Sequence, residues 1–286
     1  MVVVITNWSQ LAIAGDQFGG DDWDISDGAP ASGVRSEPPV GCTGVDRAPL
    51  PFLSPARVVF GVAVAVLGVE NLVWSKTTEA AIPILPWVPP YPLAAWLMGL
   101  ALVALGLSVA TRVRARVSAI QLGILLAVCA VLLQFPPMAA SPLDLGFRTL
   151  FFESLALAGA SLALAETLPA DGVPSARREE AIALLGGGGR WLFAISSVVF
   201  GLDHFAAIGF IASLVPFWIP GGPFWSWVTG AGLIAAGVCI GVRRLEQRAA
   251  MLLGVMFALW FVVLHAPRVL GLAFSGVPQG PHNPHE

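Results

Sequence analysis

Hydrophobic and polar positions fall in long blocks along this chain, with neither the two-residue period of a half-buried strand nor the narrow stripe of a surface helix. Seven blocks, roughly 56–74, 92–110, 115–134, 147–166, 190–210, 224–242 and 248–267, are almost free of charge. About twenty helical residues cross some 30 Å of hydrocarbon. Lipid offers the backbone no hydrogen bonds, so apolar runs of this length are helical. The pattern therefore predicts an all-α, polytopic membrane bundle of seven transmembrane helices with a lipid bilayer as its surroundings. Composition agrees, since only 12% of the residues are charged and 56% are hydrophobic, against about 25% charged in a soluble domain.

The arginines predict the orientation. Arg112, Arg114 and Arg116 lie between the second and third blocks. Arg177, Arg178 and Arg190 precede or open the fifth, Arg243, Arg244 and Arg248 lie between the sixth and seventh, and Arg57 opens the first. The alternate side holds Lys76, Arg148 and Arg268. The excess of positive charge on one side predicts a cytoplasmic N-terminus and, after seven crossings, a C-terminus on the outer side.

Other segments refine this layout. Residues 1–55, rich in Gly, Asp, Pro and Ser, read as a disordered cytoplasmic tail without the features of a signal peptide. Residues 168–189 read as a cytoplasmic linker, with the four glycines at 186–189 as its flexible part. Cys42, Cys129 and Cys239 have no paired or metal-type spacing. No basic patch with interleaved aromatics occurs, so nucleic acid is not an expected partner. No metal site is expected either, and His282 and His285 read as solvated tail residues.

The chain also repeats itself. "LGVENL" (67–72) matches "FGLDHF" (200–205), and "PWVP" (86–89) matches "FWIP" (217–220). "WLMGLALVALG" (96–106) matches "WVTGAGLIAAG" (227–237), and "LQFP" (133–136) matches "LHAP" (264–267). Equivalent points are separated by an even number of spans, so the copies run in the same direction through the membrane. The first copy, 56–167, has four spans. The second, 190–286, has three and lacks the fourth, which implies either truncation or a partner helix.

Intramembrane polar residues gather at one depth. Glu70, Asn71, Gln134, Arg148, Glu153, Asp203, His204, His265 and Arg268 all fall in the outer part of their spans. An ionised side chain near mid-bilayer is unfavourable by roughly 2.5–3.5 kcal/mol, and such residues mark pathways and relays or pair with one another. Two readings stand. In one, buried ion pairs fix helix register, for instance Glu70 or Glu153 with Arg148 and Asp203 with Arg268. In the other, the layer is a ligand-binding or proton-handling site. His204 and His265 as axial haem ligands form a weaker third reading. Trp74, Trp87, Trp218, Trp225 and Trp227 sit at the same boundary, either as interfacial anchors or as the walls of a pocket.

The acidic residue followed by Asn or His near the end of each copy's first helix, the Trp-Val-Pro and Trp-Ile-Pro loops, the glycine-spaced second helix and the "LHAPR" ending resemble the DoxX family. The resemblance covers residues 56–286 and implies a tandem-duplicated version of a four-helix bacterial membrane protein. That family takes its name from a subunit of a thiosulfate:quinone oxidoreductase. The resemblance implies a bacterial inner-membrane subunit supporting quinone-linked redox chemistry, with a redox partner subunit, quinone as the possible cofactor and no catalytic residue set to carry over. A non-enzymatic scaffold or assembly factor is the alternative, and a transporter of a small solute is a further one. No flavin, nicotinamide or iron–sulfur signature is present, so electrons would come from a partner.

Overall fold

The computed structural model of the protein describes residues 53–74, 92–170, 172–173, 175–216 and 218–265. Nine α-helices are described: α1 (Leu53–Trp74), α2 (Pro92–Thr111), α3 (Ala115–Cys129), α4 (Phe135–Ala140), α5 (Leu145–Thr167), α6 (Ala176–Ala206), α7 (Ile208–Ser213), α8 (Gly222–Gly241) and α9 (Glu246–Trp260). Among the described residues there is no strand. Seven helical stretches are long and apolar enough to cross a membrane, and they coincide with the seven hydrophobic blocks. Valines 58, 62, 66, 69 and 73 of α1 are all exposed. A soluble protein would bury such a stripe, whereas a helix in hydrocarbon presents it outward.

Neighbouring long helices pack in series: α1 on α2, α2 on α3, α3 on α5, α5 on α6, α6 on α8 and α8 on α9. The α2–α3 and α8–α9 connections are tight turns. At the α2–α3 turn Arg112 and Arg114 have φ of 68° and 50°, and at the α8–α9 turn Arg243 and Leu245 have φ of 57° and 54°. Each is a left-handed residue with a side chain, a conformation unfavourable by about 1–2 kcal/mol, so the turns are held by the packed helices on either side.

Several of these features recur at a fixed spacing. The two pairs of left-handed residues are 131 positions apart (112 to 243, 114 to 245). The π turns Ala130–Gln134 and Phe261–His265, which follow α3 and α9, share that spacing (130 to 261). At the first, Pro136 and Pro137 supply no N–H for the carbonyls one turn earlier, and the widened turn accommodates the gap. Glycine contacts recur as well. A Cβ on Gly68 would meet the Gly99 carbonyl at 2.7 Å, and one on Gly201 would meet the Gly230 carbonyl at 2.7 Å. At both places the absence of a side chain lets two helix backbones touch.

The fifth span departs from expectation. Residues 190–210 were predicted to cross, after a flexible linker ending in Gly186–Gly189. Instead α6 begins at Ala176, where the Ser175 hydroxyl accepts from the Arg178 backbone N–H at 3.4 Å, and runs unbroken through all four glycines to Ala206. A Cβ on Gly189 would lie 2.6 Å from the Gly159 carbonyl, so this glycine serves close packing of α6 on α5 within a continuous helix. At 1.5 Å per residue the 31-residue helix is about 46 Å long, and its first turns extend beyond a 30 Å hydrocarbon layer. Arg116 of α3 holds this extension, donating to both carboxylate oxygens of Glu179 at 2.8 and 2.6 Å and to the Ala165 carbonyl at 3.1 Å. Residues 1–52 and 266–286 lie outside the described part, and with them the predicted tail and Arg268.

Candidate functional site

The last turn of α6 carries "FGLDHF", and three neighbouring elements converge on it. Gly201 lets α8 approach until a Cβ on Gly230 would sit 2.8 Å from the His204 Cβ. This intimate contact leaves Asp203 only 3% and His204 only 8% exposed. Being adjacent on a helix, the two side chains point about 100° apart, and each meets a different partner.

Asp203 Oδ1 forms an ion pair with Arg148 Nη2, which reaches across from the second turn of α5. The carboxylate's other oxygen, Oδ2, is buried with no hydrogen-bond partner. His204 Nδ1 lies 2.7 Å from the Phe200 carbonyl oxygen one turn back. A carbonyl only accepts, so Nδ1 carries the proton and donates, leaving Nε2 as an acceptor in the neutral ring. The imidazole lies against the indole of Trp260 at a centroid distance of 5.5 Å and an interplanar angle of 13°.

These residues wall a cavity of about 200 Å³ at the end of the bundle opposite the arginine-rich turns. Leu145 and Thr149 contribute from α5, Trp225, Ser226 and Thr229 from α8, and Trp260 from α9. Residues of α7 and the segment after it, from Phe210 to Val215, close one side. The wall is almost wholly apolar, with Asp203 and His204 as its ionisable groups. An apolar concavity with a few convergent polar groups is the usual form of a small-molecule site.

The other predicted site residues divide into those near this cavity and those apart from it. Glu70 lies on the exposed face of α1. Arg148, expected to pair with Glu70 or Glu153, forms an ion pair with Asp203. Glu153 is half-buried on α5. Asn71 is buried, and its Nδ2 donates to the Leu67 carbonyl at 3.1 Å, the same one-turn-back contact that His204 makes. Gln134 is buried at the first π turn. The oxygens Asn71 Oδ1 and Gln134 Oε1 have no hydrogen-bond partner. His265 ends the second π turn, directly after the cavity residue Leu264, and its side chain lies outside the described residues, as does Arg268.

Sequence reading did not single out Trp260, Ser226, Thr229 or the Phe210–Val215 segment. Trp225 was marked as an anchor or pocket wall, and it lines the cavity while its Nε1 donates to the Pro220 carbonyl at 3.1 Å. Trp227 packs on Phe205 at 5.0 Å, and Trp218 is exposed, in keeping with anchoring. Among the described residues no group of three or more metal-ligating side chains occurs.

No family model matches the chain, and no curated protein or solved structure is significantly similar to it. What the fold itself defines is a multi-pass α-helical membrane protein with a half-open apolar cavity near one end of its spans.

Proposed function

We propose that this protein is a DoxX-like integral membrane subunit that holds the head group of a quinone in the cavity beside Asp203 and His204, supporting redox chemistry whose electrons come from a partner subunit. The carrying observation is the cavity itself: an apolar, aromatic chamber within the spans, with an ion-paired carboxylate and an imidazole on its wall. A membrane quinone has a flat ring that stacks on aromatic side chains and polar oxygens that need a few directed partners. His204 adds a ring nitrogen, Nε2, that can accept a hydrogen bond from a head-group hydroxyl while Nδ1 donates to Phe200.

The four-plus-three parallel repeat belongs to the same reading. Its support is the shared spacing of the π turns and the left-handed turn residues, together with the recurring glycine contacts. With the arginine-rich turns on the cytoplasmic side of a bacterial inner membrane, the cavity faces the outer leaflet.

A scaffold or assembly factor is the second reading. The Arg148–Asp203 pair favours it, because it ties α5, the last helix of the first copy, to α6, the first helix of the second. The two readings separate on co-purifying small molecules from protein in lipid nanodiscs, identified by mass spectrometry. A quinone held by the wild type and lost from a folded Asp203→Ala/His204→Ala variant supports the redox reading, and bulk phospholipid alone in both supports the scaffold.

A further inference from the structure

The donors and acceptors around the cavity are unequal. Asp203 Oδ2 is a buried acceptor without a partner. His204 Nε2 is an acceptor whenever the ring is neutral, because Nδ1 already donates to Phe200. Ser226 and Thr229 commit their hydroxyl hydrogens to the Gly222 and Trp225 carbonyls at 3.1 and 2.8 Å, so toward the cavity they offer lone pairs only. The Trp225 N–H is committed to Pro220. Among the lining residues, the indole N–H of Trp260 and the hydroxyl of Thr149 remain as possible donors.

Resting on the quinone reading, we infer that this cavity recognises the reduced, hydroxyl-bearing form, a quinol, in preference to the oxidised quinone. Quinone oxygens only accept, and in this chamber one would face the Asp203 carboxylate, leaving that buried oxygen unsatisfied. A quinol hydroxyl donates to Oδ2, and the hydroxyl oxygen can still accept from Trp260 or Thr149. Leaving a buried charged acceptor unpaired is the more unfavourable outcome by a wide margin. The charge balance also bears on the ligand. Arg148 already neutralises Asp203, so the site matches a neutral donor better than an organic cation, despite its aromatic walls. Size agrees: a cavity of about 150 Å³ accepts one benzene ring, so about 200 Å³ holds a single substituted ring, with any tail passing out between helices.

The test is direct binding of decylubiquinol and decylubiquinone to the full chain in nanodiscs, kept anaerobic, with bound ligand extracted and quantified by chromatography. The quinol is expected to bind about tenfold or more tightly than the quinone, the ratio set by one hydrogen bond to a charged acceptor. In Asp203→Asn/Arg148→Gln, a neutral amide pair that spares the fold an unpaired charge, the ratio falls to near one. In Thr229→Val, which leaves the ion pair untouched, it falls a few-fold. Equal or tighter quinone binding by the wild type overturns this inference and leaves the quinone reading standing. A quinol preference unchanged in both variants also overturns it, by placing the selectivity outside this cavity. Binding of neither form overturns the quinone reading and this inference with it.

Discussion

Trp260 lies nearly parallel to His204, their ring planes 13° apart and their centroids 5.5 Å from each other. One residue comes from the end of α9 and the other from the end of α6, two helices joined mainly through α8. The stack thus closes the cavity wall between non-sequential spans, and it holds the imidazole in the orientation that its bond to Phe200 sets.

Truncating the indole should therefore remove both a wall and a brace. Trp260→Ala is expected to lower stability by about 2–4 kcal/mol, as large-to-small changes at packed positions do, and to abolish retention of a co-purifying ring compound. Trp260→Phe, which keeps a flat apolar ring, should retain most of both. Thermal unfolding in detergent followed by extraction and mass spectrometry checks the pair.

The Arg148–Asp203 contact is buried on the Asp203 side and partly open on the Arg148 side, with side-chain exposures of 5% and 22%. Removing one member strands a charge inside the bundle, and Arg148→Leu or Asp203→Leu should each destabilise by about 3 kcal/mol. Asp203→Asn combined with Arg148→Gln should recover most of that loss. A double-mutant cycle on the unfolding midpoint measures the coupling, and additive single losses would contradict a direct pair.

The glycines at 186–189 of α6 make opposite predictions by position. Gly188 has no atom within 4 Å of where a Cβ would be built, whereas Gly189 faces the Gly159 backbone. Gly188→Ala should be neutral or stabilising by up to about 1 kcal/mol, because alanine favours a helix. Gly189→Leu should destabilise by several kcal/mol through forced separation of α5 and α6. If 186–189 behaved as a loop, both substitutions would be nearly silent in the same melting experiment.

The Arg116–Glu179 pair fastens the extended start of α6, with Glu179 partly exposed. Glu179→Gln should lower global stability only slightly, as loss of a solvent-exposed ion pair does. It should, however, speed proteolytic cleavage between Thr167 and Ser175, and high salt should have a similar effect on the wild type. Limited proteolysis followed by mass mapping reads both.

Much of the architecture was legible because lipid imposes one rule on every span: a long uncharged block has to be a helix. Block boundaries fell within a few residues of helix ends except at α6. There, the glycine run carries the composition of a water-exposed linker, and only its contact with Gly159 reveals a packing role. Asp203, His204 and Arg148 were legible as candidate residues because charge is rare in such blocks. Their pairing was not, since helix order alone does not set which faces meet. Trp260 escaped notice because an aromatic in an apolar span reads as ordinary filling, and Ser226 and Thr229 because small hydroxyls satisfy themselves within a helix. Glu70 stood out by its charge, yet it lies on the exposed face of α1.

The central claim, that the Asp203–His204 cavity is where a quinone ring resides, is tested most directly by photolabelling. The protein in nanodiscs would be irradiated with an azido-quinone, digested and mapped by mass spectrometry. Adducts are expected on Phe210–Val215, Trp225 and Trp260, suppressed by excess unlabelled quinol, with labelling of Phe210–Val215 and Trp225 lost in Trp260→Ala. Labelling spread over the exposed faces of α1 and α2, unchanged by competitor or substitution, would contradict it.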